Sequence, residues 1–401
     1  MKVRNYLVVG VLVAALLLSA CGPAEPETPE EFVFGMILVG PKNDRGWSQA
    51  HYEAGQYIEE NVEGAKMVVF ESLNPADAPE ATVEGVVDEM VEQGAQLIFT
   101  TSDEFEEDTV GAAKKYPDVT FISSSGDDAW SEGQDAGVAP SNEGNLMGRI
   151  EPMKAVAGCA AAMKTNTGQI GYLGPLINFE TRRLVASAYL GARYCYENYR
   201  GMNPDDLEFT VTWIGFWFNI PGVTLDPTEV VNQFIDSGID VVISGIDTTE
   251  AVVVAGQRAD AGEDVMAVGY DYKDGCAEAP DICLGVPYFN WGPMYLETAR
   301  AVIDGTWKQS FEWRGPDWDD INNETTSNAG WVFGPGLEAD AEASATVQEF
   351  IDGLASGDIN VWTGPINLQD GTEYIPAGRA ATDVEIWYLP QLPEGVTGAS
   401  E

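Results

Sequence analysis

The sequence predicts an α/β protein of two lobes, each built on its own parallel sheet, with a ligand cleft between them. Two observations carry this. From Phe32 onward, short uninterrupted apolar runs alternate with segments of helical periodicity, which is how strands covered on both faces of a sheet read. The same alternation then starts again after a long helical stretch in the middle of the chain.

The first set opens with FVFGMILV, Phe32 to Val39. A helix follows from Ser48 to Val62, with Ala50, Ala54, Tyr57, Ile58 and Val62 on one face. MVVF (Met67 to Phe70) is the next strand, and Val83, Val86, Val87, Met90 and Val91 mark a helix that Gly94 ends. LIFT (Leu97 to Thr100) and VTFIS (Val119 to Ser123) complete the set. Asn142 to Met163 reads as one long helix leading to the second set. Its strands are QIGYL (Gln169 to Leu173), FTVTWIGFW (Phe209 to Trp217), VVISG (Val241 to Gly245), VMAVGY (Val265 to Tyr270) and ICLGV (Ile282 to Val286). Before VVISG, Asp226 is a good N-cap, Pro227 suits the first turn, Glu229 completes a capping-box-like pair and Gly238 stops the helix. Further helices are expected at Gly292 to Trp307 and Ala339 to Leu354, and short strands and turns from Val361 to Val396.

The amino terminus has the layout of a secretory signal peptide: Lys2 and Arg4, an apolar stretch from Tyr6 to Leu18, then Leu18-Ser19-Ala20-Cys21. The apolar stretch is short for a membrane span of about 20 residues. The cysteine after two small residues resembles a bacterial lipobox, which implies that Cys21 is acylated and becomes the mature N-terminus. GPAEPETPEE, Gly22 to Glu31, is Pro-rich and acidic and reads as a tether. The expected organisation is a signal peptide over 1–20, an acylated cysteine and tether over 21–31, an N-terminal lobe over 32–160 and a C-terminal lobe over 161–290. Residues 291–401 would supply crossover helices and an extension packing on the lobes.

With 65 acidic against 20 basic residues the formal charge is -45. Such a surface repels nucleic acid and anionic headgroups, and no basic pocket for a phosphorylated ligand is apparent. In an exported chain cysteines can pair. Cys276 and Cys283 flank a short loop containing Pro280, which leaves a local disulfide and free thiols equally open. Cys159 and Cys195 lie in predicted helices, as a second pair or as buried thiols.

Ligands of open α/β sheets gather beyond the carboxyl ends of the strands. After the first strand stand Asn43, Asp44 and Trp47, and after LIFT come Ser102 and Asp103. In the second set Trp217 and Phe218 end one strand, Asp247 follows another, Asp271 follows Tyr270, and Asn290 and Trp291 lie past the fifth. Aromatic faces stack on a planar ring, a contact of about 1–3 kcal/mol for a nucleobase, and carboxylates accept hydrogen bonds from hydroxyl or ring N–H groups. The mixture suits a neutral, flat ligand bearing hydroxyl or amine groups. Singly, Asp44 and Asp103 read equally well as helix caps and Trp47 as core; the recurrence at strand ends in both lobes favours binding.

Enzymatic chemistry finds little footing. His51 is the sole histidine, which disfavours a catalytic triad and excludes a multi-histidine metal site. There is no GxxxxGK[ST] loop and no GxGxxG after a strand, and no spacing singles out a carboxylate pair for glycoside hydrolysis. No catalytic residue, metal or cofactor is assigned.

Several segments resemble the basic membrane protein family of substrate-binding lipoproteins, which includes purine nucleoside receptors. They are GPKNDRGWSQAHYEAG, TTSDEF, NEGNLMGRIEPMKAVAGCAAA leading to GQIGYLG, VTWIGFWFN, YFNWGPMY and GPINLQDGTEYIPAG, in the expected order over almost the whole mature chain. The resemblance implies a type I periplasmic-binding-protein fold, a hinged pair of Rossmann-like lobes closing on a purine. It implies that Trp47 stacks on the base, that Asp44 contacts the ligand and that Asp271 stands where members approach the ribose. Many members have two aspartates where this chain has Asn43-Asp44, a phenylalanine at Trp47, and a lysine near Asn290-Trp291. The tryptophan and NWGP features resemble a subgroup associated with free bases, so base against nucleoside stays open with a lean to the base. The expected function is that of a monomeric, lipid-anchored extracytoplasmic receptor delivering a purine base or nucleoside to an ABC permease. The alternatives are a binding protein for another small polar ligand and a sensory lipoprotein.

Overall fold

The computed structural model describes residues 31–401, so the expected signal peptide, Cys21 and nearly all of the expected tether lie outside the described residues. The first ten strands divide between the two large sheets in chain order. β1 (Phe32–Ile37), β2 (Ala65–Phe70), β3 (Ala95–Thr100), β4 (Thr120–Ser124) and β5 (Glu143–Gly148) belong to the first lobe. β6 (Gln169–Gly174), β7 (Glu208–Trp213), β8 (Val241–Ser244), β9 (Met266–Val268) and β10 (Cys283–Phe289) belong to the second. Every residue of β1 and of β10 is buried, as uninterrupted apolar strands covered on both faces must be. β11 (Phe311–Arg314) adds to the first sheet and β12 (Ala329–Phe333) to the second. β13 (Ile366–Asn367) and β14 (Glu373–Ile375) form a small hairpin, and β15 (Val396–Thr397) edges the second sheet.

The sheet orders are β11-β5-β4-β3-β1-β2 and β12-β10-β9-β8-β6-β7-β15. Within the two large sheets all pairs are parallel except β10 with β12. Each lobe therefore has one place where the order reverses: between β1 and β3 in the first, between β6 and β8 in the second. Crevices for ligands open there, outside the carboxyl ends of the strands.

Two expected elements differ in the structure. The single helix over Asn142 to Met163 is instead β5 followed by the helix Glu151–Lys164. Gly144 and Gly148 are poor helix formers, Pro152 sits in the first turn where helices start, and Asn145 and Glu143 are buried in the strand. The strand over Phe209 to Trp217 stops at Trp213, where Gly215 takes a left-handed φ of 103° and the chain leaves the sheet. β11 and β12 had no counterpart in the sequence reading, because they lie among Gly, Pro and polar residues without clear alternation.

The chain crosses between lobes after β5, after β10 and between β11 and β12, and the crossings touch one another. A Cβ on Gly148 would press on the Phe289 ring and the Asn328 carbonyl. The Asn290 amide donates to Asn328 O (3.2 Å) and that of Asn328 to Gly315 O (3.2 Å). Beside this hinge the helix Glu151–Lys164 packs along the helix Phe179–Asn198, where Ala188 and Ala155 backbone atoms come so close to Gly158 and Gly191 that neither tolerates a side chain.

The C-terminal extension bridges the lobes. Trp362, Ile366, Ile375, Ile386 and Leu389 pack around Ala186 of the second lobe. From the same segment the Trp387 indole N–H donates to Asp127, the Tyr388 hydroxyl accepts from the Gln134 amide (2.8 Å), and Trp130 stacks on Tyr388. Asp127, Trp130 and Gln134 lie in the loop after β4, in the first lobe.

Both cysteine pairs form disulfides, Cys159–Cys195 and Cys276–Cys283. The first joins the two packed helices across 36 residues of sequence. No helix among the described residues is long and apolar enough to cross a membrane. Replacing Cys159 and Cys195 together by serine is expected to lower unfolding stability by about 2–5 kcal/mol, read as a lower denaturant midpoint in equilibrium unfolding. An unchanged midpoint would refute the stabilising role of this bridge.

Candidate functional site

Asp44 and Trp47 sit at the entrance of the helix Trp47–Asn61, which starts after β1. Asp44 accepts from the amides of Gly46 (2.9 Å), Ser48 (3.0 Å) and Gln49 (3.0 Å), meeting orphan N–H groups of the helix start. Burial nevertheless pushes its carboxyl above the ordinary value, against the opposing pull of those amides. The Trp47 indole N–H donates to Thr101 O (2.6 Å), which pins the ring between the ends of β1 and β3. Trp291 and Phe289 meet Trp47 edge to face, at 5.3 Å each. Behind them His51 stacks on Trp291 and shares a hydrogen bond with the Tyr295 hydroxyl (2.7 Å).

The second lobe supplies the facing wall. Asn178 caps the helix Phe179–Asn198, and its side-chain amide reaches across the cleft to donate to Asp103 (3.1 Å). Arg45 pairs with Glu278 across the same gap. A Cβ on Gly46 would overlap the Asp247 carbonyl, so the lobes are closed to backbone contact and only glycine fits there. Between them lies a small cavity lined by Val39, Trp47, Ser102, Asp103, Ser125, Glu180, Trp217, Asp247 and Tyr270. These residues follow β1, β3, β4, β6, β7, β8 and β9, so the cavity spans the reversal points of both sheets.

Its electrostatics are unusual for a buried space. Asp103, Glu180 and Asp247 line it and Asp271 lies fully buried beside it. Burial drives all four carboxyls up, Glu180 to about 7, and like charges add to it: Asp103 and Glu151 at Glu180, Asp271, Asp44 and Glu180 at Asp247, and Glu180 and Asp44 at Asp271. One compensating cation is Arg183, which acts on Asp103 and Glu180; the other is Lys154, fully buried, whose Nζ donates to Ser244 O (3.0 Å) and lies 3.1 Å from the centre of the Tyr270 ring. Burial holds its ammonium well below the ordinary value, although Asp271 and Glu180 pull the other way. Asp271 has a left-handed φ of 65° and neither of its carboxyl oxygens has a hydrogen-bond partner among the described residues. Non-glycine residues held in that region are strained and cluster at functional sites.

The sequence-predicted residues divide into three groups. Trp47, Ser102, Asp103, Trp217 and Asp247 share the cavity. Asp271, Asn290 and Trp291 line a larger, more open depression on the hinge side together with Glu53, Tyr57 and Lys273; Asn290 is tied there to the carbonyls of Glu324 and Ser327. Asn43 is exposed, Asp44 caps its helix and Phe218 packs on Phe216, so these three do not line the cavity. Sequence reasoning missed Glu180, Ser125, Tyr270 and Lys154. Glu180 had a signal: it follows QIGYLG just as Trp47 follows the first strand. Lys154 lies near the start of an alanine-rich apolar helix, and a lysine in a helix usually faces solvent.

Residues 32–317 match the family of PnrA-like ABC transporter substrate-binding proteins, and the chain belongs to that family. It is 31% identical to a purine-binding protein of Brucella abortus over 92% of this chain and 93% of the relative. It is 26% identical to a putative ABC transporter glucose-binding protein of Haloferax volcanii, over 88% of this chain and 79% of that one. Among solved structures, an ABC transporter solute-binding protein of Aeropyrum pernix superposes with a TM-score of 0.63 at 15% identity, over 82% of this chain and 92% of the other. The fold is thus that of type I periplasmic binding proteins, and the family is one of substrate-binding proteins, not of enzymes.

A second buried acid group lies under the loop after β4, where burial raises Glu106 to about 9, Glu143 to about 8 and Asp128 to about 6. A carboxyl raised in the folded state stabilises below its unfolded value and loses that contribution as pH climbs through the folded one. The groups depressed by ion pairs, such as Glu385 at about 2, act only in acid. The ligand-free protein is therefore expected to melt at least about 5 °C lower at pH 9 than at pH 5, measured by scanning calorimetry; a flat or rising profile would contradict the raised carboxyls.

Proposed function

We propose that this protein is the extracytoplasmic receptor of an ABC importer and that its ligand is a purine, taken as the free base in preference to the nucleoside. The observation that carries the reading is the cavity itself: two indoles and a phenol ring beside three carboxyls, with no lysine or arginine in the lining. Aromatic faces give a flat ring its stacking surface, and acceptors read its N–H groups. The absence of a lining cation disfavours any phosphorylated form. Close packing of both lobes around a small space favours the base over the bulkier nucleoside. The similarity to a purine-binding protein over nearly the whole of both chains supports the same ligand class.

A hexose is the second reading, favoured by the similarity to a putative glucose-binding protein; hydroxyl groups also suit carboxylate acceptors, and sugars lie well on tryptophan. Hand-over to a permease follows from the family. Attachment through acylated Cys21 keeps the receptor at the outer face of the membrane. In this reading residues 32–160 and 161–290 form the two lobes, and 291–401 returns strands to both.

Thermal unfolding of the chain from Gly22 onward, against purine bases, nucleosides, hexoses and amino acids, tests the ligand. A ligand at about 100 times its Kd adds about 2.7 kcal/mol of stability, so adenine or hypoxanthine is expected to raise the melting temperature by several degrees and more than adenosine. A shift with glucose alone would replace the purine by a sugar. For the anchor, the full-length protein is expected to partition into the detergent phase on cloud-point separation and Cys21→Ala into the aqueous phase; equal partitioning would dismiss lipidation.

A further inference from the structure

Glu180 is a cavity carboxyl for which stacking and ordinary acceptor roles leave no distinct task. It is the second residue of the helix Phe179–Asn198, 6% exposed, and it lines the cavity at the reversal point of the second sheet. Unlike Asp103, which Asn178 holds, and Asp44, which three amides hold, its carboxyl takes no hydrogen bond from the described residues.

The groups facing it are unevenly charged. Asp103 stands across the cleft, Glu151 lies on the neighbouring helix, and Asp247 and Asp271 follow β8 and β9. The phenols of Tyr172 and Tyr270 bring no positive charge. Two cations are near: Arg183, one turn on in the same helix, bonds Glu151 through Nε (2.8 Å) and leaves one terminal nitrogen without a partner among the described residues, and Lys154 is bonded to Ser244 O. A closed cleft filled by a neutral ring would thus leave Glu180 dehydrated where acids outnumber cations and neither cation bonds to it, a state that buried carboxyls escape by taking a proton.

A carboxyl can read the edge of a heterocycle in two ways. Ionised, it accepts from two adjacent donors. Neutral, its O–H donates while its C=O accepts, which matches an edge carrying a donor beside an acceptor, the amidine edge of an aminopurine or the lactam edge of an oxopurine. A carboxylic acid kept neutral by its surroundings so that it can donate is a known catalytic device, and the same physics serves binding.

We propose that Glu180 is a specificity-determining residue of the cavity, reading the donor–acceptor edge of a purine base as the neutral acid, so that binding takes up one proton. This rests on the purine reading given above. The proton comes from solvent, stays on the Glu180 carboxyl as the hydrogen-bond donor, and no bond in the ligand changes. The raised affinity of Glu180 for its proton before binding, near neutrality, places the linkage in an accessible range.

Isothermal titration of the chain from Gly22 onward with adenine and with hypoxanthine, at pH 8 in phosphate and in Tris, counts protons from the difference in apparent enthalpy. The expected result is an uptake approaching one proton, with affinity falling toward about tenfold per pH unit between pH 8 and 9. Glu180→Gln should abolish the uptake and flatten the pH profile, whereas Asp247→Asn, which removes a different cavity carboxyl, should retain the uptake. Unfolding of each ligand-free variant establishes that it is folded. Purine binding without proton uptake, or uptake that survives Glu180→Gln, overturns the proposal while leaving the purine reading intact. No binding of either base overturns both.

Discussion

Acidic side chains meeting where two lobes close is the constraint on which this molecule turns. Asp44 and Asp103 come from one lobe, Glu180, Asp247 and Asp271 from the other, and the buried cations set among them are two, Lys154 bonded to a carbonyl and Arg183 bonded to Glu151. In water such groups repel weakly; in a dehydrated cleft the same pairs interact several-fold more strongly. Closure is therefore coupled to whatever neutralises or hydrogen-bonds these carboxyls. Protons and ligand N–H groups both answer that need, whereas anions aggravate it. The large negative charge of the whole chain has no comparable effect, since it is spread over a hydrated, screened surface.

The rest of the architecture serves to bring those groups together reproducibly. Parallel strands point their carboxyl ends to one side, and each sheet reverses its order once, so loops after β1, β3, β6 and β8 converge at the interface. Small residues permit the approach: Gly46 against the Asp247 carbonyl, Gly148 beneath Phe289 at the hinge. The Trp47–Trp291–His51–Tyr295 aromatic group stiffens the first lobe behind the cavity. Rigid walls on both sides leave the hinge as the place where motion occurs, as in other hinge-closing binding proteins.

Most of this order was legible in the chain. Continuous apolar strands announced the parallel sheets because burial on both faces leaves no polar alternation to confuse them. Trp47, Asp103 and Asp247, which line the cavity, stand out in the sequence by their place after such strands. Legibility failed where local pattern and tertiary role diverge. Glu143 to Gly148 carries buried polar residues and two glycines in a central strand, which only its neighbours in the sheet can justify. Asp44 looked like a ligand contact and is occupied by helix amides, a distinction that sequence cannot make, since the same residue type suits both tasks. Lys154 was invisible because a buried lysine is recognised by its surroundings alone, and Asn290 and Trp291 stand after the expected strand but on the far, hinge-side rim.

The segment from Trp362 to the C-terminus lies beyond the residues that match the family and rests on both lobes at once. Its grip on the second lobe is broad, through a hydrophobic cluster, an added strand and the bonds of Arg182 to Leu389 and Ser400. On the first lobe it lays Trp387 and Tyr388 on Trp130 and Trp387 on Phe311 and Trp313 of β11, with two hydrogen bonds and the Arg149–Asp383 ion pair. A wide gape must unlatch those rings, whereas a shallow one need not. The binding protein thus has a built-in stop: parting the lobes widely must do work against a stack of aromatic rings that ties the C-terminal segment to the first lobe.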